Sequence, residues 1–204
     1  ILGVALREWD VKVDPLAWPG DVAEALDRFI ERHGCHVVFL PFQAVEWPLL
    51  RDHVAIERVR TRMLRGDHTT VLPSDLSPAV IAGILARCDL VLGMRLHAVI
   101  LSIAAGVPVV GLAYDPKVRR ALDQVGCAEY AVDLSRLTTD SLLVSMEEVW
   151  AKRKELSAHL LQEAQRLSAA AELNNRLAVD LLGGKMRIVR SQDSPAIEIL
   201  KRVA

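Results

Sequence analysis

The sequence predicts an α/β fold, a doubly wound and mostly parallel Rossmann-like sheet, on three observations. Six short strand-like runs alternate with stretches of helical periodicity: Leu2 to Leu6, Cys35 to Leu40, Thr69 to Leu72, Asp89 to Leu92, Val109 to Leu112 and Cys127 to Val132. Several of these runs are apolar throughout rather than alternating, as strands covered by helices on both faces require. Helix punctuation falls at the junctions, with Ser77-Pro78 and Asp115-Pro116 as starts and Gly34 and Gly126 as stops.

The chain has 204 residues, 51% apolar and 25% charged, a globular composition with enough length for one domain of ordinary to large size. A formal charge of -1 speaks against a nucleic-acid surface or an anionic membrane as partner, since both need a basic excess. No apolar run reaches the roughly 18 residues of a membrane span. Cys35, Cys88 and Cys127 are far apart and lack CxxC spacing, so they are expected as core thiols in a reducing cytoplasm rather than as ligands or nucleophiles. His53 and His68 have no partner at metal-ligand spacing and are expected at the surface or an interface; no metal site is expected.

In chain order, the first strand ends at Arg7-Glu8-Trp9, and a turn-rich loop follows from Asp10 to Pro19. Asp21 to His33 carries Val22, Leu26, Phe29 and Ile30 on one face and predicts an amphipathic helix. The second strand runs on into Pro41-Phe42-Gln43-Ala44-Val45-Glu46. Pro48 to Arg65 predicts a helix dense in arginine (Arg51, Arg58, Arg60, Arg62, Arg65), expected to be a solvated face. The helix from Ser77 to Arg87 should turn Val80, Ile81, Ile84 and Leu85 inward. Gly93 ends the fourth strand, and Leu96 to Ala105 is apolar all round, which predicts a helix buried on every side. Gly106-Val107-Pro108 returns the chain to the fifth strand, and Asp115 to Val125 makes the next helix. The stretch 139–182 is too long for one ordinary helix and reads as two, and 183–204 is an unassigned tail.

Ligands of such sheets bind outside the carboxyl ends of the strands, at the point where strand order reverses. With the common order 3-2-1-4-5-6, strands one and four are neighbours there, so Arg7 and His97 face one crevice. Arg95 and His97 lie on a strand-to-helix turn, where free N–H groups and the helix dipole favour an anion. Tyr114 and Lys117 stand at the end of the fifth strand, on the same edge. Taken alone, each has a plain reading: Arg7 pairs with Glu8 or a surface acid, Trp9 covers the sheet edge, and His97 is a buried imidazole capping a helix.

The residues Gly93-Met94-Arg95-Leu96-His97-Ala98, the GVPVVGLAYDPKV run from Gly106 and the earlier Pro41-Phe42-Gln43 resemble the polysaccharide pyruvyl transferases, CsaB-like enzymes of cell-wall and exopolysaccharide biosynthesis. The resemblance runs from about Gly3 to Leu182 and covers the second half of such a protein. It implies a Rossmann-like donor-binding lobe over 1–182, including helices in 139–182, like the C-terminal lobe of a GT-B-type two-domain transferase, with an N-terminal lobe absent from this sequence. That fits a chain opening on Ile1 inside a core strand.

Phosphoenolpyruvate is the implied donor, with no further cofactor, and a sugar or polysaccharide precursor is the acceptor. His97 and Arg95 are the implied catalytic residues. Arg7, Arg95, Tyr114 and Lys117, with Gly93 behind the turn, are expected to hold the donor's anionic groups, and Trp9, Gln43 and Glu46 to contact substrate. Many family members carry an acid shortly after the glutamine; here Glu46 is the one candidate, displaced and followed by Trp47. The implied setting is the cytoplasm, compatible with peripheral attachment at the inner face of the membrane. Two alternatives stay open: a nucleotide-sugar-dependent glycosyltransferase lobe, and a non-catalytic binding lobe.

Overall fold

A computed structural model of the chain describes residues 1–11, 13–43 and 52–182. Six strands form one parallel sheet in the order β3-β2-β1-β4-β5-β6: β1 Leu2–Ala5, β2 Val37–Phe39, β3 Thr69–Val71, β4 Leu90–Gly93, β5 Val109–Ala113 and β6 Ala131–Asp133. Between them run α1 Trp18–His33, α2 Asp52–Arg60, α3 Pro78–Leu85, α4 Leu96–Ala104 and α5 Pro116–Asp123, and the chain continues in α6 Thr139–Ala151 and α7 Arg153–Leu182. This is the Rossmann-like α/β fold expected. Every residue of β1 and β4 is buried, because the two strands lie side by side at the centre, Leu2 opposite Leu90 and Ala5 opposite Gly93. Their adjacency is the switch point, since the chain leaves β1 toward β2 and returns on its other side at β4.

Local chemistry sets the helix ends. α1 begins earlier than its apolar stripe suggested, because Pro19 sits in its first turn, where its missing N–H costs nothing. Gly34 closes α1 at φ 60° and donates to the Ile30 carbonyl at 2.8 Å. Ser77 and Asp115 cap α3 and α5 through their side chains. Thr138 and Ser141 form a reciprocal capping box at the start of α6. α6 lies against α1 through the Arg28–Asp140, Arg32–Glu147 and His33–Glu147 pairs and an edge-on contact of Phe29 with Trp150.

Three expectations need correction. α4 is not buried all round: Ala98, Val99, Ser102 and Ile103 face the core, while Ile100 is exposed. A helix laid on one face of a sheet has a solvent side, and apolar sequence cannot change that layer geometry. The last strand is shorter than Cys127 to Val132, because Ala128–Tyr130 winds into a 3-10 turn first. α3 turns Ile81 and Leu85 inward but leaves Val80 exposed.

The arginines of α2 and its sequel are engaged rather than merely solvated. Arg58 pairs with Glu8, Arg60 with Glu57, and Arg65 with Glu31. All three cysteines are buried, and burial pushes the Cys88 and Cys127 thiols up to about 11. Two compact units divide the chain, 1–164 and 165–204; the first holds the sheet and its flanking helices, and the described part of the second, 165–182, is helical. Among the described residues no helix is long and apolar enough to cross a membrane.

Candidate active site

The carboxyl ends of β1, β4 and β5 carry most of the residues singled out by sequence. The chain leaving β4 stays tied to β1: Met94 N–H donates to the Ala5 carbonyl at 2.8 Å, and Arg95 N–H to the same oxygen at 3.4 Å. Gly93 is required just before this turn, since a Cβ there would lie 2.8 Å from Val99 Cγ2.

Arg95 occupies the N-cap position of α4. Its side chain points to the β2 side of the switch point, where Asp52 receives it. Nε lies 2.9 Å from both Asp52 carboxylate oxygens, and Nη2 donates to Gln43 Oε1 at 2.7 Å and also meets Asp52 Oδ1. The same Asp52 accepts the N–H groups of Phe42 at 2.8 Å and Gln43 at 3.1 Å. Its side chain is 0% exposed and that of Arg95 14%. Burial pushes the Asp52 carboxyl up, against the pull of Arg95 and the two amides. One aspartate thus clips the end of β2, the start of α2 and the β4–α4 turn together.

Arg7 turns the other way, toward β5. Its Nη1 donates to the Tyr114 hydroxyl at 3.0 Å, and the guanidinium carbon lies 5.0 Å from the Tyr114 ring centroid and 5.4 Å from that of Trp9. The two rings meet at 4.6 Å. Arg7 does not pair with Glu8, which bonds Arg58 at 2.9 Å instead. Arg7 Nε is buried without a hydrogen-bond partner, leaving donor capacity in the cluster.

His97, in the first turn of α4, is exposed, so it is not a buried capping imidazole. Lys117 is exposed in the first turn of α5. A cavity of about 480 Å³ opens beside Tyr114, lined also by Asp115, Arg119, Arg120 and Asp133. The structure therefore gathers Arg7, Trp9 and Tyr114 into one cluster and Arg95 and Gln43 into another. Glu46 lies outside the described residues. Sequence reading missed Asp52, which no motif marks and which stands 43 residues from Arg95; it named Glu8 only as a partner for Arg7.

The sequence profile of the polysaccharide pyruvyl transferases matches residues 6–116, more than half of the chain, from the end of β1 to the start of α5. The chain belongs to the polysaccharide pyruvyl transferase family. Within the matched stretch lie the Asp52–Arg95 and Arg58–Glu8 ion pairs, the Arg95–His97 turn and Tyr114. Among curated proteins, this family member is 28% identical over 116 residues to the amylovoran biosynthesis protein AmsJ of Erwinia amylovora, an alignment spanning 57% of the chain and 27% of that relative. Among solved structures, a Listeria monocytogenes protein assigned as a UDP-N-acetylglucosamine 2-epimerase shares the fold, with a TM-score of 0.53 and 16% identity over 86% of this chain and 45% of that one. The matched stretches thus cover less than half the length of either.

Proposed function

We propose that the chain is the donor-binding lobe of a two-lobed enzyme that moves pyruvate from phosphoenolpyruvate onto two hydroxyls of a polysaccharide sugar, closing a ketal. The observation that carries this reading is the position of Arg7: a cation at the switch point, with an unpartnered buried Nε, inside the stretch that matches the family. Phosphoenolpyruvate is a small trianion, and the carboxyl edge of a parallel sheet beside two helix N-termini suits it.

The roles divide by what each side chain already holds. Asp52 meets the charge of Arg95, so Arg95 shapes the turn and aims its backbone. Arg7 and Lys117 supply positive charge to the donor, and Tyr114 orients Arg7. Arg suits a carboxylate or phosphate because its planar fork can bind two oxygens at once. His97, exposed on the first turn of α4, delivers a proton to the methylene carbon of the donor, since imidazole exchanges protons near neutrality. The resulting cationic carbon is attacked by one sugar hydroxyl, phosphate departs with the C–O electron pair, and the second hydroxyl closes the ring. Of the two protons the sugar loses, one balances the new methyl group and the other the departing phosphate.

Calorimetric titration of this chain with phosphoenolpyruvate, beside inorganic phosphate and a UDP-sugar, tests the reading. Binding of phosphoenolpyruvate that is lost in Arg7→Ala is the expected result. Binding of the UDP-sugar alone would replace it with the glycosyltransferase reading.

A further inference from the structure

A second cavity, of about 440 Å³, opens at the end of β1 and is lined by Arg7, Glu8, Trp9, Pro15, Leu16 and Arg58, among others. Its size falls within the roughly 300–1,000 Å³ of small-molecule sites. One wall is the Trp9 indole, whose electron-rich face suits the C–H edge of a pyranose. Another carries Glu8, and a third carries Arg7 of the donor cluster. The cavity and the donor cluster therefore share two residues, Arg7 and Trp9.

Glu8 is an unusual carboxyl for a surface edge. Its side chain is 12% exposed. One oxygen, Oε2, pairs with Arg58 Nη1 at 2.9 Å, while Oε1 is buried with no hydrogen-bond partner. A buried, unpaired carboxylate oxygen is costly unless something binds there. α2 fixes the arrangement, because it carries both Asp52, which holds the Arg95 turn, and Arg58, which holds Glu8, about 9 Å apart along the helix.

We propose that this cavity is the acceptor-sugar subsite and that Glu8 takes the proton of the attacking sugar hydroxyl. The inference rests on the pyruvyl-transfer reading above. As the hydroxyl oxygen bonds the central carbon of the protonated donor, its O–H bond breaks and the proton passes to the Glu8 carboxylate. Phosphate then leaves with the C–O electron pair and takes the proton of the second hydroxyl as the ketal closes. The proton on Glu8 returns through solvent to His97, which gave one to the methylene carbon, so the cycle balances. The charged groups around Glu8 are Arg58 from α2 and Arg7 and Asp10 from its own segment. Burial raises its pKa, with Arg58 opposing and Asp10 adding to the rise, and a carboxylate held above its ordinary pKa is a stronger base for a hydroxyl proton.

The test uses the complete two-lobed enzyme. Glu8→Gln should bind phosphoenolpyruvate as the parent does while kcat falls about 100-fold or more, and the acid limb of the kcat/KM profile against pH should disappear. Arg58→Met, which keeps Glu8 but removes its counter-ion, should move that limb to higher pH. Retained kcat in Glu8→Gln, or an acid limb unmoved in Arg58→Met, would overturn the role of Glu8 while leaving pyruvyl transfer in place. A parent enzyme that binds no phosphoenolpyruvate and forms no ketal would instead overturn the reading beneath it.

Discussion

Asp52 grips Arg95 through both carboxylate oxygens while accepting the backbone N–H groups of Phe42 and Gln43. A buried carboxylate so engaged has all its strong partners in one place, and losing the cation strands it. Asp52→Ala or Arg95→Met alone should each destabilise the chain by about 3–5 kcal/mol, as single removals from buried pairs do. The double variant Asp52→Leu/Arg95→Met should cost much less than the sum. Urea unfolding of the set measures this, and additive losses would show that the two side chains are not coupled.

Gly93 and Val99 make a second pair, of a steric kind. A methyl group at Gly93 would lie 2.8 Å from Val99 Cγ2 and 3.6 Å from its backbone nitrogen. Gly93→Ala should therefore destabilise by about 1–3 kcal/mol, the usual cost of overpacking. Adding Val99→Ala should recover part of that loss, because the nearer clash is with a side chain. No recovery on thermal melting would assign the strain to the backbone instead.

The sheet was legible because its information is local. Apolar runs, capping residues and glycine stops each act within a few residues, and six β/α alternations leave few topologies open. The turn at Arg95 and His97 was legible for the same reason. The clip made by Asp52 was not, since it joins residues 43 apart and lies in a stretch where arginine dominates. The exposure of Ile100 was hidden too, because an apolar helix reads alike whether one or both of its sides are covered. Arg7 could have paired with its neighbour Glu8 by sequence. Their partners come from other elements instead: Tyr114 at the end of β5 for Arg7 and Arg58 of α2 for Glu8.

Tyr114→Phe tests how far Arg7 depends on its hydroxyl partner. The ring contact survives this change and only the 3.0 Å hydrogen bond is lost. A bond of this kind contributes about 0.5–1.5 kcal/mol, so affinity for phosphoenolpyruvate should fall roughly two- to tenfold. Tyr114→Ala removes the ring as well and should cost more. Unchanged affinity in both, by calorimetry, would mean that Tyr114 does not orient the donor's cation.

The thiols report on the integrity of the sheet. With Cys88 and Cys127 pushed up to about 11 by burial, roughly one thiol in a thousand at each site is ionised at pH 8, and the thiolate is the reactive form. A disulfide reagent should therefore label the folded chain at these two positions far more slowly than the urea-unfolded chain. Rapid labelling of native protein, mapped to Cys88 or Cys127 by mass spectrometry, would show that this edge of the fold opens readily.

Glu8 makes the pH dependence of stability a test of burial against ion pairing. Its carboxyl is raised above its ordinary value near 4.5, first by burial, with Asp10 adding to the shift and Arg58 opposing it. Between the unfolded and folded pKa values the folded chain binds more protons than the unfolded one, so folding weakens as pH climbs through that window. Below the window both states hold the proton and the effect vanishes. Relative to Glu8→Gln, the parent chain should thus lose stability as pH rises from about 4 toward neutrality, and denaturant unfolding of both across that range reads the difference. A parent that gains on the variant instead would mean that Arg58 outweighs desolvation, with the folded carboxyl lying below its ordinary value and less able to take a proton from a sugar.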